Sequence, residues 1–160
     1  MIKLFKNENG IGLIETLVAL GISLIVITSL VSLSVFTLRT STQSKLLLQS
    51  SKLVNEEIEL ARAFRDSTDW ATFTATMGNC DSSNCYITTS SGIGVSSGTE
   101  TIGSGADQIT RFFTTSDPIN GDGVDASDNL VRIAVTVSWR VGTDVKYAHS
   151  YTELSNWRPE

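Results

Sequence analysis

An uninterrupted apolar segment near the N-terminus constrains this 160-residue chain more than any other feature. Between Ile11 and Phe36 the only formally charged side chain is Glu15, and Leu, Ile, Val, Ala, Gly, Ser, Thr and Phe make up the rest. As an α-helix, a segment of this length rises about 39 Å, which exceeds the hydrocarbon core of a bilayer at about 30 Å. The sequence therefore predicts a transmembrane helix over residues 11–36.

The charges that flank the apolar segment indicate its orientation in a membrane. Lys3 and Lys6 precede it, and Arg39 and Lys45 follow it. Although both flanks are weakly basic, the short N-terminal tail is the one expected to stay in the cytoplasm. We therefore expect a single-pass protein of the cytoplasmic membrane whose larger C-terminal part lies outside the cytoplasm.

Glu15 requires an explanation because an ionised carboxylate within a bilayer is energetically unfavourable, and no Lys or Arg lies at helical spacing beside it. A secretory signal peptide has a shorter apolar core, with a small-residue cleavage site beyond it. A signal anchor fits the length of the segment but gives no role to Glu15. A third interpretation places the cleavage before the apolar segment, which then remains as the mature N-terminus.

The third interpretation is supported by the stretch NGIGLIETLVALGISLIV, which resembles the processing site of type IV prepilins and pseudopilins. In that family a short basic leader ends in Gly, the first mature residue is apolar, and the fifth is Glu at the start of an apolar helix. Here Gly10 corresponds to the end of the leader, Ile11 to the new N-terminus, and Glu15 to the fifth mature residue. The resemblance covers about the first forty residues.

The resemblance implies a set of partners and a role for each matched residue. Prepilin peptidase is expected to cleave between Gly10 and Ile11 and to methylate the new amine of Ile11. Glu15 is expected to face the N-terminal amine of a neighbouring subunit and so to direct assembly, although a Glu whose carboxylate reaches the headgroups is the alternative. The implied partners are other pilin or pseudopilin subunits, the inner-membrane assembly platform, and membrane lipid before assembly into an extracytoplasmic filament. No cofactor is expected.

A second apolar pattern follows Thr37 and predicts that the helix continues to about Asp66. No Gly or Pro interrupts residues 22–70, and apolar residues recur at helical spacing. We therefore divide the chain into a cleaved leader (1–10), the transmembrane helix (11–36), an amphipathic helical stem (37–68) and a β-rich head (69–160). The residues expected to form the buried stripe of the stem are Leu46, Leu47, Leu53, Val54, Ile58, Leu60, Ala61 and Phe64.

The head contains three strong strand signals, which predict the fold class. They are QITRFFTTS, NLVRIAVTVSWRV and VKYAHSYTEL, and a short Gly-Thr-Asp connection suggests that the last two form a hairpin. Gly- and Ser-rich sequence before them indicates loops and short strands. We expect an α+β protein in which a long N-terminal helix packs on a small antiparallel sheet. One face of the second run should be buried, with Val131, Ile133, Val135, Val137 and Trp139.

The two cysteines, Cys80 and Cys85, are the next candidates for a chemical role. A disulfide suits a protein exported from the cytoplasm. Two free thiols remain an alternative. A metal site would need two further ligands, and the only histidine, His149, is distant in sequence.

A loop rich in side-chain oxygens, DPINGDGVDASDN, is a weak candidate for calcium binding. An EF-hand alignment places Pro118 and Asn129 where the two anchoring acids belong, so a solvated acidic turn is favoured. The candidate ligands are Asp117, Asn120, Asp122, Asp125 and Asp128.

Composition narrows the choice of function. The formal net charge of −5 and the scattered basic residues do not favour nucleic-acid binding by this subunit alone. An enzyme is not expected, because no catalytic motif surrounds His149. The leading hypothesis is a minor pilin in a type IV pilus-like filament. The alternatives are a type II secretion pseudopilin and, from a different class, a signal-anchored extracytoplasmic binding module.

Overall fold

The computed structural model describes residues 8–105 and 108–157, with side chains from Gly12 onward. The chain forms two helices and six strands in this part. The helices are α1 (Glu8–Ser67) and α2 (Trp70–Gly78). The strands are β1 (Cys85–Thr88), β2 (Gly94–Ser97), β3 (Glu100–Ile102), β4 (Ile109–Ser116), β5 (Leu130–Val141) and β6 (Asp144–Ser155).

Helix α1 confirms the prediction of one long N-terminal helix, since its 60 residues run from Glu8 to Ser67 without interruption. Several hydroxyl side chains in its apolar part donate to the backbone carbonyl four residues earlier, as Ser23, Ser29 and Ser34 do at 2.8–2.9 Å. These bonds satisfy polar groups that could not otherwise be placed in hydrocarbon. The serines are therefore compatible with a membrane-spanning helix.

The chain divides into two compact units, of which the first ends at Gln43 and the second begins at Ser44. In the first unit, all the described residues belong to α1, and those from Gly12 to Gln43 are exposed. In the described part of the chain, α1 is also the one helix that is long and apolar enough to cross a membrane.

The second unit contains the rest of α1, helix α2 and an antiparallel sheet of six strands. The strand order is β2-β1-β4-β5-β6, and β3 pairs with β4 beside β1. Strands β5 and β6 form the expected hairpin, in which Val141 pairs with Asp144 across a two-residue turn. Gly142 has φ +63°, which suits the first turn position of a type II′ hairpin.

One core joins the second half of α1 to the sheet, which confirms the predicted α+β architecture. The expected face of β5, Val131 to Trp139 at alternate positions, is buried. Leu47 was predicted to belong to the stripe on α1, but this was wrong, since its side chain is 52 % exposed. The buried residues of α1 are Leu46, Ser50, Leu53, Val54, Glu57, Ile58, Ala61, Phe64 and Arg65.

Helix α2 was not predicted from the sequence. Asp69 caps its N-terminus by accepting a hydrogen bond from the backbone N–H of Thr72, at 3.0 Å. Its buried face, with Phe73 and Met77 fully enclosed, completes the core. Threonines have low intrinsic helix propensity, so burial of this face rather than local preference stabilises the helix.

Candidate functional site

The apolar half of α1, which we define as Gly12–Phe36, is the candidate assembly surface. Its large apolar side chains are all exposed, by 44–67 %. Contact of such a large apolar surface with water is unfavourable. Contact with lipid or with other apolar helices is favourable. One long apolar helix near the N-terminus is consistent with a single-pass membrane anchor.

Glu15 is exposed and lies in the first turns of the apolar half. No Lys or Arg in the described part of the chain forms an ion pair with it. Its neighbour Thr16 is satisfied locally, since the hydroxyl donates to the carbonyl oxygen of Leu13 at 2.9 Å. Unlike this hydroxyl, the carboxylate of Glu15 has no ion-pair partner among the described residues.

The proposed cleavage site falls at the margin of the described residues. The backbone of Gly10 and Ile11 belongs to α1, but the side chain of Ile11 lies outside the described part, as do Lys3 and Lys6 of the expected leader. Ile11 precedes Glu15 by four residues, which places both positions on one face, about 6 Å apart along the helix axis.

A second group of charged residues lies in the second unit, between α1 and the sheet, and we call Glu57, Arg111 and Glu100 the Glu57 cluster. Glu57 is completely buried, and its Oε1 accepts a hydrogen bond from the backbone N–H of Ile87 at 2.7 Å. Its Oε2 lies 3.0 Å from Nε of Arg111, and that guanidinium also donates to Glu100. The four residues belong to α1, β1, β4 and β3 respectively, so the cluster joins the helix to three strands.

Burial is the main influence on the pKa of the Glu57 carboxyl. It raises the pKa of Glu57, and this effect exceeds the opposing attraction of Arg111 and the hydrogen bond from Ile87. Strands β1 and β4 pair at Cys85 and Phe113 alone, which leaves the N–H of Ile87 to be satisfied by the side chain of Glu57.

Sequence reasoning gave no role to Glu57, although it lies between Val54 and Ile58 of the predicted stripe. A signal was present in β4, where Arg111 occupies an inward position between Ile109 and Phe113. A charged residue on the buried face of a strand requires a buried partner of opposite charge. Searching the stripe of α1 for such a partner would have identified Glu57.

The expected disulfide between Cys80 and Cys85 is confirmed, with an S–S distance of 2.01 Å. The alternatives of free thiols and a metal site are therefore wrong for these cysteines. The bond links the end of α2 to the start of β1, and both residues are buried, at 0 % and 1 % exposure. The backbone N–H of Thr115 donates to the carbonyl oxygen of Cys80 at 3.1 Å, which fixes this connection against β4.

The acidic loop uses three of its carboxylates to organise its own backbone. Asp117 accepts hydrogen bonds from the N–H groups of Ile119, Asn120 and Gly121, of which the first contributes most to lowering its pKa. The hydroxyl and the N–H of Ser127 lower the pKa of Asp125. Asp128 accepts from the N–H of Asp125 at 2.8 Å.

The loop's remaining calcium candidates, Asn120 and Asp122, are exposed. Among the described residues, no group of three or more His, Cys, Asp or Glu is arranged to hold a metal ion. The structure thus assigns the ordered carboxylates of this loop to turn formation.

Comparison with known proteins gives no family model, no curated protein and no solved structure that matches this chain.

Proposed function

We propose that this protein is a structural subunit, a minor pilin, of a type IV pilus-like filament. In this proposal prepilin peptidase removes residues 1–10 and methylates Ile11, and the subunit waits in the cytoplasmic membrane with its N-terminus inside. It then joins an extracytoplasmic filament by packing its apolar half against those of other pilin subunits on the assembly platform. Lipid covers the apolar half before assembly, and no catalytic role is proposed.

The observation that carries the proposal is an exposed apolar half with one carboxylate that no cation among the described residues pairs with. The α-amine created by cleavage after Gly10 is a cation at the matching end of an identical or related helix. Pairing the two in a low-dielectric bundle compensates two charges, either of which would be strongly unfavourable alone. The same pairing would give neighbouring helices a preferred axial register, because the amine and the carboxylate meet at only one axial offset between the helices.

The continuity of α1 gives further support. Its residues from Leu46 onward bury a stripe in the core of the head, whereas its apolar half has no such partner in the described chain. In this proposal the same helix contributes its second half to the core of the head and its apolar half to assembly. A cleavable signal would not need to continue as helix into the folded head.

Two alternatives make different predictions. A type II secretion pseudopilin shares the N-terminal chemistry and differs in which subunits and assembly platform it joins. A signal-anchored binding module would use the apolar half as a lipid anchor alone, so neither cleavage after Gly10 nor the charge of Glu15 would affect its activity.

Processing can be tested by measuring the intact mass of the protein extracted from membranes of a host with active prepilin peptidase. We expect loss of residues 1–10 and the added mass of one methyl group on Ile11. Gly10→Leu should block cleavage, because a bulky side chain prevents close approach of the peptidase to the backbone. Gly12→Leu is the matched control, since it changes a glycine beyond the scissile bond. A mature chain that still begins at Met1 would contradict the proposal.

A further inference from the structure

Strand β6 forms one end of the sheet and has a free edge. It pairs with β5 over its full length, from Asp144 opposite Val141 to Ser155 opposite Leu130, with no bulge in the register. In the part of the chain that the structure describes, no other backbone group bonds to the opposite edge of β6. At the end of the strand the carbonyl oxygen of Ser155 accepts a hydrogen bond from the guanidinium of Arg65. Before that point the edge presents a straight row of N–H and C=O groups that have no partner among the described residues.

Exposed apolar side chains are concentrated beside this edge. Val145, Tyr147 and Tyr151 are 44 %, 57 % and 67 % exposed, and His149 is exposed between the two tyrosines. All four lie at alternate positions of β6 and so occupy one face of the sheet. We call these four residues the aromatic row. Such a concentration on a soluble surface is typical of an interaction site.

The rings of the aromatic row are held in place by neighbours on the same face. Tyr147 stacks on His149 with ring centroids 5.8 Å apart, and Nδ1 of His149 lies 3.0 Å from the hydroxyl of Thr136. The guanidinium of Arg132 lies 5.4 Å from the ring of Tyr151. Rings that are already ordered lose little conformational entropy when a ligand packs on them.

The usual protections of an edge strand are missing from the centre of β6. From Tyr147 to Thr152 the strand has no charged residue, no proline and no glycine. Native proteins ordinarily place charges, prolines or bulges at such an edge to prevent strand pairing. Their absence here indicates that pairing with another strand is tolerated at this edge.

We infer that the β6 edge binds an extended segment of a partner protein, which adds to the sheet as a further strand. A row of N–H and C=O groups at strand spacing is complemented by another extended backbone. Alternate side chains of that segment should be apolar, since they would lie beside the aromatic row on the same face of the sheet. This inference concerns the ligand of the head and does not depend on the proposed role of the apolar half.

Charge identifies a further feature of the partner segment. Arg140 pairs across the hairpin with Val145, on the same face as the aromatic row. It is exposed and forms no ion pair with any described residue. The partner segment should therefore carry an acidic side chain that reaches Arg140. Pairing with β6 of a second copy brings no uncommitted acid to Arg140, because Glu153, the one acid on that face of β6, already pairs with Arg132.

The test uses the full chain in nonionic detergent micelles and a set of short fluorescent peptides in extended, alternating sequence. Each peptide alternates Val or Ile with Thr and carries one Asp, whose position varies across the set. Fluorescence anisotropy should detect binding that is strongest for one Asp position, and Arg140→Gln should abolish that preference. If no peptide of the set binds, or if binding ignores the Asp position, the inference is wrong.

Backbone pairing can be separated from nonspecific adhesion to the rings. In a strand, consecutive N–H groups point to opposite edges, so N-methylation of alternate peptide residues blocks one edge and leaves the other. We expect one N-methylated form to lose affinity by at least about tenfold, and the form methylated on the other edge to bind normally. Equal binding by the two forms would show contact with side chains alone and would overturn strand addition.

Two proline variants test the same point in the protein. Ser150→Pro and Tyr151→Pro each remove one backbone N–H. Consecutive N–H groups point to opposite edges of a strand, so one of these two N–H groups points to the free edge and the other to β5. The variant that keeps the far-ultraviolet circular dichroism of the native protein should lose peptide binding. Tyr151→Ala controls for loss of the ring. Self-association of the chain that disappears in that proline variant would assign the edge to a second copy and overturn the inferred partner.

Discussion

At the scale of single residues, Glu57 and Glu15 show two different solutions to the problem of a carboxylate in apolar surroundings. Glu57 is enclosed with Arg111 and the N–H of Ile87, so its partners are supplied by the fold. Glu15 has no such partner in the described chain. The first carboxylate is therefore a feature of the head's stability, and the second a candidate determinant of assembly.

The raised pKa of Glu57 predicts a pH-dependent contribution to stability. The folded protein retains this proton at pH values above the ordinary pKa of 4.5, at which the unfolded chain has released it. The contribution is therefore fully present below 4.5 and is lost as the pH rises through the raised pKa. Glu57→Gln removes the titration, so the stability of the native protein relative to this variant should fall as the pH rises from about 4 to about 8.

Urea unfolding of the full chain in nonionic detergent, followed by tryptophan fluorescence, measures this difference at each pH. Glu59→Gln is the matched control, because Glu59 lies in the same helix at an exposed position. The account would be contradicted if the stability of the native protein relative to Glu57→Gln stayed constant or grew with pH. Burial would then not be the main influence on the pKa of Glu57.

The disulfide permits a second prediction at the residue scale. Because Cys80 and Cys85 are buried, the native protein should resist both alkylation and mild reduction, and should become labelled once reductant and urea are added together. The bond closes a short loop, so replacing both cysteines with Ala should lower the free energy of unfolding by about 2 kcal/mol. Labelling of the native protein by an alkylating reagent alone would show that the bond is absent.

At the scale of secondary-structure elements, the end of α2 is fixed by close contact with the acidic loop. A Cβ atom added at Gly78 would lie 2.6 Å from the backbone carbonyl oxygen of Val124, which cannot move without shifting the loop. The contact lies close to the Cys80–Cys85 bond and the bond between Thr115 and Cys80, so this corner of the head is tightly constrained.

Gly78→Ala should therefore destabilise the head, even though alanine is the better helix former. The gain in helix propensity is at most about 1 kcal/mol, whereas forcing a methyl group into a packed site typically costs about 1–3 kcal/mol. Gly94→Ala is the control, since its Cβ would make an ordinary contact at 3.6 Å. Urea unfolding should show a lower midpoint for Gly78→Ala. An unchanged or higher midpoint would contradict the prediction, because it would mean that the acidic loop moves away from the new methyl group at no cost in stability.

The elements predicted correctly from the sequence are those with a regular apolar period. Helix α1 and strands β4, β5 and β6 have such patterns, whereas β1, β2 and β3 are three or four residues long in Gly- and Ser-rich sequence. Helix α2 was missed because its stability comes from burying Phe73 and Met77. The Glu57 cluster was missed because its partners are brought together by the sheet topology, which no local pattern encodes.

At the scale of the whole molecule, the chain combines an exposed apolar unit with a folded α+β unit. Cleavage after Gly10 would place a new cation at the end of the first unit, close in sequence to Glu15. In the proposed filament each subunit then brings one carboxylate and one amine to the helical core. On this proposal, assembly depends on charge, whereas membrane insertion depends on the length of the apolar segment.

The most direct test of this account is the incorporation of Glu15 variants into filaments. Glu15→Leu removes the charge from the span, so insertion should be unchanged or improved. It also leaves a neighbouring amine without its carboxylate, at a cost of about 3–5 kcal/mol by analogy with broken buried pairs. Glu15→Gln should fail similarly, because it retains the shape and loses the charge. Thr16→Leu is the control, since it removes a neighbouring polar group without changing charge.

The measurement is the ratio of filament-incorporated subunit to membrane subunit in sheared fractions, with cleavage after Gly10 monitored by mass in the same samples. The account predicts that both Glu15 variants are inserted and cleaved normally, yet incorporated at a ratio lower by more than about a hundredfold. Thr16→Leu should be incorporated normally. Normal incorporation of the Glu15→Leu subunit would contradict the account and would leave the apolar half as a plain membrane anchor.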